Sequence, residues 1–387
     1  MKKGMNNNHL KNSNRGLILK LIASQNEYSR ADITGMVNLT KMTVSNIVND
    51  FIETGFVVES KKTENNTVGR NPITLSISPT APKIIGLYIS RNSLHCVLSS
   101  LSLDIIHQTE MPLCNETPDT LDQKIVSIIK TILSYTSDSI LGLGISAIGP
   151  LDIKTGRILN PTNFFGISNY PVQALIEREF KIPCLLNNDM NACALTELYY
   201  GAGQDWSHFL YVGISNGIGS GIITDGKLYQ NNSPYAGELG HMVIEFDGPL
   251  CSCGRRGCLE AYINMPSILN KIRDITEKPE LTYADLPAFG ADPKCRPLFQ
   301  DISEKLTCAL VNTVNLLDPQ GIIIGHEGAY LPAEYISKIE EVINQDILAV
   351  GHLHITVRTS SLKLKAPLLG GVCLVLDQLF SGNFDVD

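Results

Sequence analysis

This 387-residue chain has no uninterrupted apolar run of the roughly 18 residues that a membrane-spanning helix needs, which excludes a protein built on spanning helices. No apolar segment follows the charges of Met1-Lys2-Lys3-Gly4-Met5-Asn6-Asn7-Asn8, so no signal peptide is expected and a cytoplasmic location is. Charged residues are scarce at 18% while hydrophobic residues reach 43%, a balance that buries a core and excludes a disordered chain. Beyond the Asn-rich start there is no low-complexity tract and no short internal repeat. Cations are in deficit, 31 Lys and Arg against 39 Asp and Glu, and the net charge of −8 taken whole argues against nucleic acid as a partner. The length predicts two or three domains of roughly 100–200 residues each.

The charge is not evenly spread. Residues 1–83 carry eleven Lys or Arg and six Asp or Glu, a balance of +5, which leaves −13 on the other 304 residues. A sign change of this kind points to a basic module joined to an acidic body.

The basic segment reads as three helices and two strands. Leu17, Ile18, Leu21 and Ile22 recur at helical spacing, with Asn14 as the predicted cap. A second helix is predicted from Ser29, with Asp32 completing a capping box. A third, capped by Thr40 and ended by Gly55, places Val44, Ile47, Val48 and Phe51 at i, i+3, i+4 and i+7, one buried stripe. Its remaining face, Lys41, Met42, Thr43, Ser45, Asn46 and Asn49, has the chemistry of a recognition helix, whose polar side chains reach base edges and phosphates. Two β-rich runs, 56–60 and 73–78, flank a polar loop with Lys61, Lys62, Gly69 and Arg70, the layout of a wing whose basic tip meets phosphates or the minor groove. The alternative is a small helical packing module with a polar surface. The wording of the segment resembles a winged helix-turn-helix domain in Ser29-Arg30-Ala31-Asp32-Ile33, in Thr43-Val44-Ser45 leading to Gly55, and in Val68-Gly69-Arg70-Asn71-Pro72.

After a short linker around Pro79 and Pro82, strand-like runs at 84–90, 94–99, 104–108 and 140–147 and a helix over 121–135 open an α/β body. Ten cysteines are present, most in apolar runs that read as buried free thiols. Three cluster, with a histidine upstream: His241, Cys251, Cys253 and Cys258 form a Cys₃His set. Three thiolates and an imidazole are soft ligands suited to tetrahedral zinc, and a complete set leaves no open position, so the expected zinc is structural. Gly254 and Gly257 allow the tight turns, Arg255 and Arg256 can offset the thiolate charge, and no Asp or Glu intervenes between 251 and 258. The alternative is three buried or redox-active cysteines beside an unrelated histidine.

Asn187-Asn188-Asp189 ends the apolar run 183–186. A carboxylate at the C-terminal end of a strand, opening a helix, sits where α/β proteins place ligands; it can hold a sugar hydroxyl or serve as its general base, or be an ordinary helix cap. The glycines of Gly213-Ile214-Ser215-Asn216-Gly217-Ile218-Gly219-Ser220-Gly221, with Asp225-Gly226 beyond, suit a phosphate cradle or a plain hairpin.

Together these words resemble the ROK family, which groups sugar-responsive repressors, such as those of the xylose- and N-acetylglucosamine-repressor type, with sugar kinases. The resemblance covers nearly the whole chain and is most specific at Ala236-Gly237-Glu238-Leu239-Gly240-His241, the cysteine cluster and Leu259-Glu260, supported by Gly149-Pro150, Asn160-Pro161-Thr162-Asn163 and Asn188-Asp189. It implies an α/β chain with an N-terminal winged helix-turn-helix (1–80) and an actin-like, two-lobed body, the first lobe at 84–188 with 365–387 and the second, carrying the zinc, at 189–364. It also implies that Asn163, Asn188, Asp189, Glu238, His241 and Glu260 contact a sugar in the cleft. Family kinases open with an Asp-x-Gly-Gly-Thr phosphate loop; here the aligned text is Tyr88-Ile89-Ser90-Arg91-Asn92. The kinase Gly-Thr-Gly becomes Ser215-Asn216-Gly217, and a late glycine pair becomes Gly325-His326. The reading is therefore a sugar-responsive repressor, not an enzyme, without ATP, acting on a palindromic operator as a homodimer or homotetramer. The alternative is an ATP-dependent ROK sugar kinase with an added N-terminal domain.

Overall fold

The computed structural model describes residues 7–24, 27–61, 73–229 and 235–384. Gly69 and Arg70, at the expected wing tip, lie outside the described residues, as does Lys62.

In chain order the first segment gives α1 (Asn7–Ala23), α2 (Arg30–Met36), α3 (Lys41–Glu53), β1 (Val57–Lys61) and β2 (Ile73–Ile77). The body follows with β3 (Lys83–Ile89), β4 (Ser93–Ser99), β5 (Ile105–Pro112), α4 (Pro118–Leu133), β6 (Ile140–Ala147), β7 (Leu151–Asp152), β8 (Arg157–Ile158), α5 (Val172–Phe180), β9 (Cys184–Asn188), α6 (Asp189–Tyr200), β10 (Phe209–Ile214), β11 (Ile218–Thr224) and β12 (Lys227–Leu228). It closes with α7 (Met265–Thr276), α8 (Arg296–Leu317), β13 (Gly321–Gly325), α9 (Ala333–Asp346), β14 (Thr356–Thr359) and α10 (Lys365–Phe380). No helix among the described residues is long and apolar enough to cross a membrane.

The chain divides into two compact units. The first holds residues 1–146, 171–186 and 371–387, so the N-terminal segment belongs to the same unit as the first large sheet. That sheet has the order β5-β4-β3-β6-β9, with β3 and β5 antiparallel to β4. The second unit holds 147–170 and 187–370, and its sheet has the order β12-β11-β10-β13-β14. There β10 runs antiparallel to β11 and parallel to β13, which runs parallel to β14. A three-strand antiparallel meander followed by two crossover strands thus occurs twice, the duplicated topology of the actin-like class.

In the N-terminal segment the capping signals act as written. Ser29 accepts the Asp32 N–H at 3.2 Å while Asp32 accepts the Ser29 N–H at 2.8 Å, and Thr40 accepts the Thr43 N–H at 3.1 Å. Val44, Ile47, Val48 and Phe51 are all buried, and Gly55 ends the helix at φ 78°. β1 and β2 pair antiparallel from Val57↔Ile77 to Lys61↔Ile73.

The first helix departs from the expectation. Asn14 is not a cap, because α1 begins at Asn7, and its buried face is Arg15, Ile18, Leu19, Ile22 and Ala23 while Leu17 is exposed. The cause is a tertiary contact. A Cβ at Gly16 would come within 2.2 Å of the Phe380 carbonyl oxygen, and one at Gly382 within 2.5 Å of the Asn12 carbonyl carbon. The end of α10 therefore packs directly on α1 and sustains its extra N-terminal turns. Arg15, buried at this junction, pairs with Asp50 of α3 at 2.8 Å and lies 4.9 Å from the centroid of the Phe51 ring.

Lys83 fixes the linker. Its ammonium donates to the Pro79 and Ala81 carbonyls at 2.6 and 2.7 Å and pairs with Asp138 at 3.2 Å. The linker is thus held against the body.

Two glycine substitutions separate these effects. Gly16→Val should lower the stability of the protein by about 1–3 kcal/mol, because the Phe380 backbone cannot give way. Gly35→Ala, at a position in α2 with nothing within 4 Å of the new Cβ, should be neutral or stabilising by up to about 1 kcal/mol. Urea unfolding midpoints of the two variants check the contrast.

Candidate functional site

The sharpest side-chain cluster lies in the second unit. The ligand atoms of His241, Cys251, Cys253 and Cys258 all fall within 4.8 Å of one another. His241 ends the 3-10 turn Leu239–His241, and the three cysteines follow on a tight loop closed by the bridges Val243↔Cys258 and Leu250↔Arg256. Within it the Cys251 N–H donates to the Arg255 carbonyl at 2.7 Å, and Gly254 turns the chain at φ 85°. The Cys253 and Cys258 sulfurs are 3.7 Å apart, as are Cys251 Sγ and His241 Nδ1. A disulfide needs about 2.05 Å, whereas ligands about 2.3 Å from a shared tetrahedral centre lie about 3.8 Å apart. The spacing and the donor set both fit a tetrahedral thiophilic ion.

Electrostatics favour thiolate at one ligand. The Arg255 backbone N–H, aided by its side chain, draws the Cys253 thiol down to about 6, while burial pushes Cys258 up to about 12. Arg255 also donates to the His241 carbonyl at 3.1 Å, so it ties the histidine segment to the cysteine loop. Arg256 instead donates to the Gly248 carbonyl at 3.3 Å. Of the ten cysteines, Cys114, Cys253 and Cys308 are exposed and the others buried.

Around this cluster stand the carboxylates. Glu260, two residues past Cys258, accepts the Ile218 N–H at 3.1 Å and is reached by the Ser252 hydroxyl at 3.5 Å. Gly217 leaves room for this carboxylate, since a Cβ there would lie 2.3 Å from Glu260 Oε2 and displace it. Partial desolvation raises the Glu238 carboxyl above its usual range; His241 opposes the shift and Glu260 adds to it. Glu238, His241 and Glu260 therefore form one electrostatic neighbourhood. His241 turns Nδ1 to the sulfurs, which leaves Nε2 on the other side of the ring.

Asn188 caps α6, accepting the Met190 N–H at 2.9 Å, and Asp189 is buried in the first turn of that helix, where the helix dipole favours its negative charge. Asn187, which sequence reasoning left out of the site, accepts from the Asn188 N–H at 2.8 Å and from the Asn191 amide at 3.0 Å and so sets the approach to the cap. Asn163 is exposed, in the left-handed region at φ 58°. The glycine run is explained by packing: Cβ atoms at Gly219 and Gly221 would meet Met190 at 2.8 and 2.5 Å, so the glycines let the start of α6 rest on the β10–β11 hairpin. Asp225-Gly226 forms the next turn, at φ 52° and 66°.

The turn aligned with the kinase phosphate loop is closed on itself. Ser90 Oγ accepts the Asn92 and Ser93 N–H groups at 3.3 and 3.0 Å, so these amides are spent internally. At Gly325-His326 the imidazole is buried, with Nδ1 2.9 Å from the Tyr211 hydroxyl, and burial draws its pKa down to about 4. It fills space beside Gly213 that a second glycine would leave open.

On α3, Lys41, Met42, Asn46 and Asn49 are exposed. Thr43 and Ser45, expected to face outward, are half-buried; the Thr43 hydroxyl is 2.9 Å from that of Thr40.

A winged helix-turn-helix joined to a duplicated actin-like α/β body defines a class, and comparison with known proteins specifies it. The profile of the ROK family matches residues 84–378, and the chain belongs to that family. It is 30% identical over 390 residues to a protein named putative xylose repressor from Caldicellulosiruptor sp. (strain Rt8B.4), covering 96% of this chain and 97% of the relative. Among solved structures it is similar to a ROK family transcriptional regulator described as a homologue of the E. coli MLC protein, with TM-score 0.80 and 24% identity, over 97% of this chain and 98% of that one. A ROK hexokinase from Thermus thermophilus gives TM-score 0.62 and 24% identity over 75% of this chain and 97% of its own.

Proposed function

We propose that this protein is a DNA-binding repressor of sugar-utilisation genes whose operator affinity is controlled by a bound sugar. The observation that carries the reading is coverage: the hexokinase is matched over 97% of its length yet reaches 75% of this chain, whereas the transcriptional regulator reaches 97%. The relative named putative xylose repressor likewise spans the N-terminal segment. The division is 1–80 for DNA, 84–188 with 365–387 for the first lobe and 189–364 for the second.

DNA is bound through the α3 residues Lys41, Met42, Thr43, Ser45, Asn46 and Asn49, with Gly69 and Arg70 of the wing. The sugar is held by Asn163, Asn188, Asp189, Glu238, His241 and Glu260, whose carboxylates accept, and whose amides and imidazole accept or donate, as a ring of hydroxyls requires. His241, Cys251, Cys253 and Cys258 hold a structural zinc, which when bound locks the cysteine loop and fixes the His241 tautomer. His241 Nε2 is then free to donate to the sugar. A homodimer or homotetramer sets two recognition helices about one DNA turn apart on a palindromic operator. The sugar binds the operator-incompetent arrangement more tightly, and a coupling of about 1–3 kcal/mol changes operator affinity 5–150-fold.

The buried Asp189 at a helix start is the feature a kinase would also need. The self-satisfied Ser90 turn and the buried His326 weigh against nucleotide binding.

In a thermal-shift panel of xylose, glucose, N-acetylglucosamine and ATP, one sugar should raise the melting temperature and ATP should not, and the active sugar should release operator DNA. Asp189→Asn should weaken that sugar by tenfold or more while leaving operator binding intact. ATP-dependent phosphorylation of any of the sugars would instead establish the kinase reading. For the metal, the purified chain should contain about one zinc per chain by mass-spectrometric metal analysis. Cys253→Ser should lose most of it, and Cys308→Ser, exposed in α8, should keep it.

A further inference from the structure

The exposed side chains of α3 are ordered. Met42, Asn46 and Asn49 stand at i, i+4 and i+7, one stripe on the face turned away from the buried Val44, Ile47, Val48 and Phe51. Met42 is 75% exposed, an apolar side chain left open to water in the first turn of a recognition helix. Thr43 and Ser45 flank the stripe and are half-buried; the Thr43 hydroxyl lies 2.9 Å from that of Thr40, and the Ser45 carbonyl accepts from Arg30 at 3.3 Å. Arg30 itself is paired with Glu59 at 2.8 Å. Lys41 is the one cation of α3 and lies about 100° around the helix from Met42. The stripe is therefore one thioether and two carboxamides, uncharged until Glu53 continues it at the last turn.

We propose that this stripe reads A·T base pairs in the major groove, with Met42 against thymine methyl groups and Asn46 and Asn49 on adenine edges. The inference rests on the DNA-binding reading of α3. Adenine offers an N7 acceptor beside an N6 donor, which one carboxamide matches with its own donor and acceptor. Guanine offers two acceptors, so the amide oxygen would face an acceptor, and the stripe has no Arg or Lys to take that edge. The thymine methyl is the apolar feature of the groove, and an exposed thioether gains by covering it. From Met42 to Asn49 the helix rises about 10 Å, the length of about three base-pair steps. Lys41, off the stripe, is placed for a phosphate, and the Glu53 carboxylate repels phosphates and ends the contact.

The test uses the full-length protein to select duplexes from a randomised pool. Each enriched half-site should contain a run of about three A·T pairs. On an enriched duplex, replacing the thymines of that run by deoxyuridine removes the methyl groups, and replacing the adenines by 7-deazaadenine removes N7. Each change should weaken the wild type about fivefold or more. Met42→Ala should be insensitive to deoxyuridine, and the double variant Asn46→Ala, Asn49→Ala insensitive to 7-deazaadenine, with melting temperatures unchanged because these side chains are exposed. Half-sites without A·T runs, or variants as sensitive to the analogues as the wild type, would overturn the assignment. Failure to enrich any duplex would overturn the DNA-binding reading itself, and this inference with it.

Discussion

Four ligand atoms within 4.8 Å of each other are the constraint from which the polar site is laid out. Glu238 precedes His241 by three residues and Glu260 follows Cys258 by two, so the loop that gathers the sulfurs also delivers both carboxylates to one place. Thiols gathered at 3.7 Å resist ionising together, and the backbone N–H and side chain of Arg255 favour thiolate at Cys253. Glu260 then reaches out of the loop to the Ile218 N–H, which couples the cysteine segment to the edge of the β10–β11 hairpin. On the same hairpin Met190 rests against Gly219 and Gly221, and Asp189 is its neighbour in the chain. The site is assembled around one strand, β11, by close approaches that side chains larger than hydrogen would prevent.

The N-terminal segment is less independent than a linker rich in small residues implies. Its first helix lies directly on the end of α10, α3 is tied to that first helix by Arg15 and Asp50, and its exit is clamped by Lys83. α10 is one continuous helix whose residues to Gly370 belong to the second unit and from Gly371 to the first. α3 thus connects through α1 to the end of α10 by packed groups within the first unit.

What the sequence disclosed and what it withheld follow from the range of the forces involved. The capping box at Ser29 and Asp32, the cap at Thr40 and the buried stripe of α3 depend on neighbours within one or two turns, and they were legible. The Cys₃His cluster was legible because ligand chemistry is written in residue type. The start of α1 was not, because the turns before Asn14 depend on Gly382 and Phe380, more than 360 residues away. The glycines around Gly219 left a phosphate cradle and a hairpin both open; the side chain that decides, Met190, belongs to another element. Ser90 marked a lost phosphate loop, but that its hydroxyl consumes the turn's amides is a matter of geometry alone. Residue type likewise put Thr43 and Ser45 on the outer face, where helix phase half-buries them.

The charge split between the basic segment and the acidic body gains a refinement from the same contacts. Among the described residues, Arg15 is paired with Asp50, Arg30 with Glu59 and Lys83 with Asp138. These three cations hold the module together and are poorly placed to neutralise phosphate; Asp50 and Glu59 are already counted in the +5, and only the Lys83–Asp138 pair lowers it. Fewer phosphate contacts mean less counterion release and a smaller share of affinity that is blind to sequence. If α3 reads DNA as proposed, its uncharged stripe carries a larger share of discrimination than it would on a strongly basic module. An acidic body of −13 acts in the same direction, because it disfavours any encounter with DNA that is not made through the module.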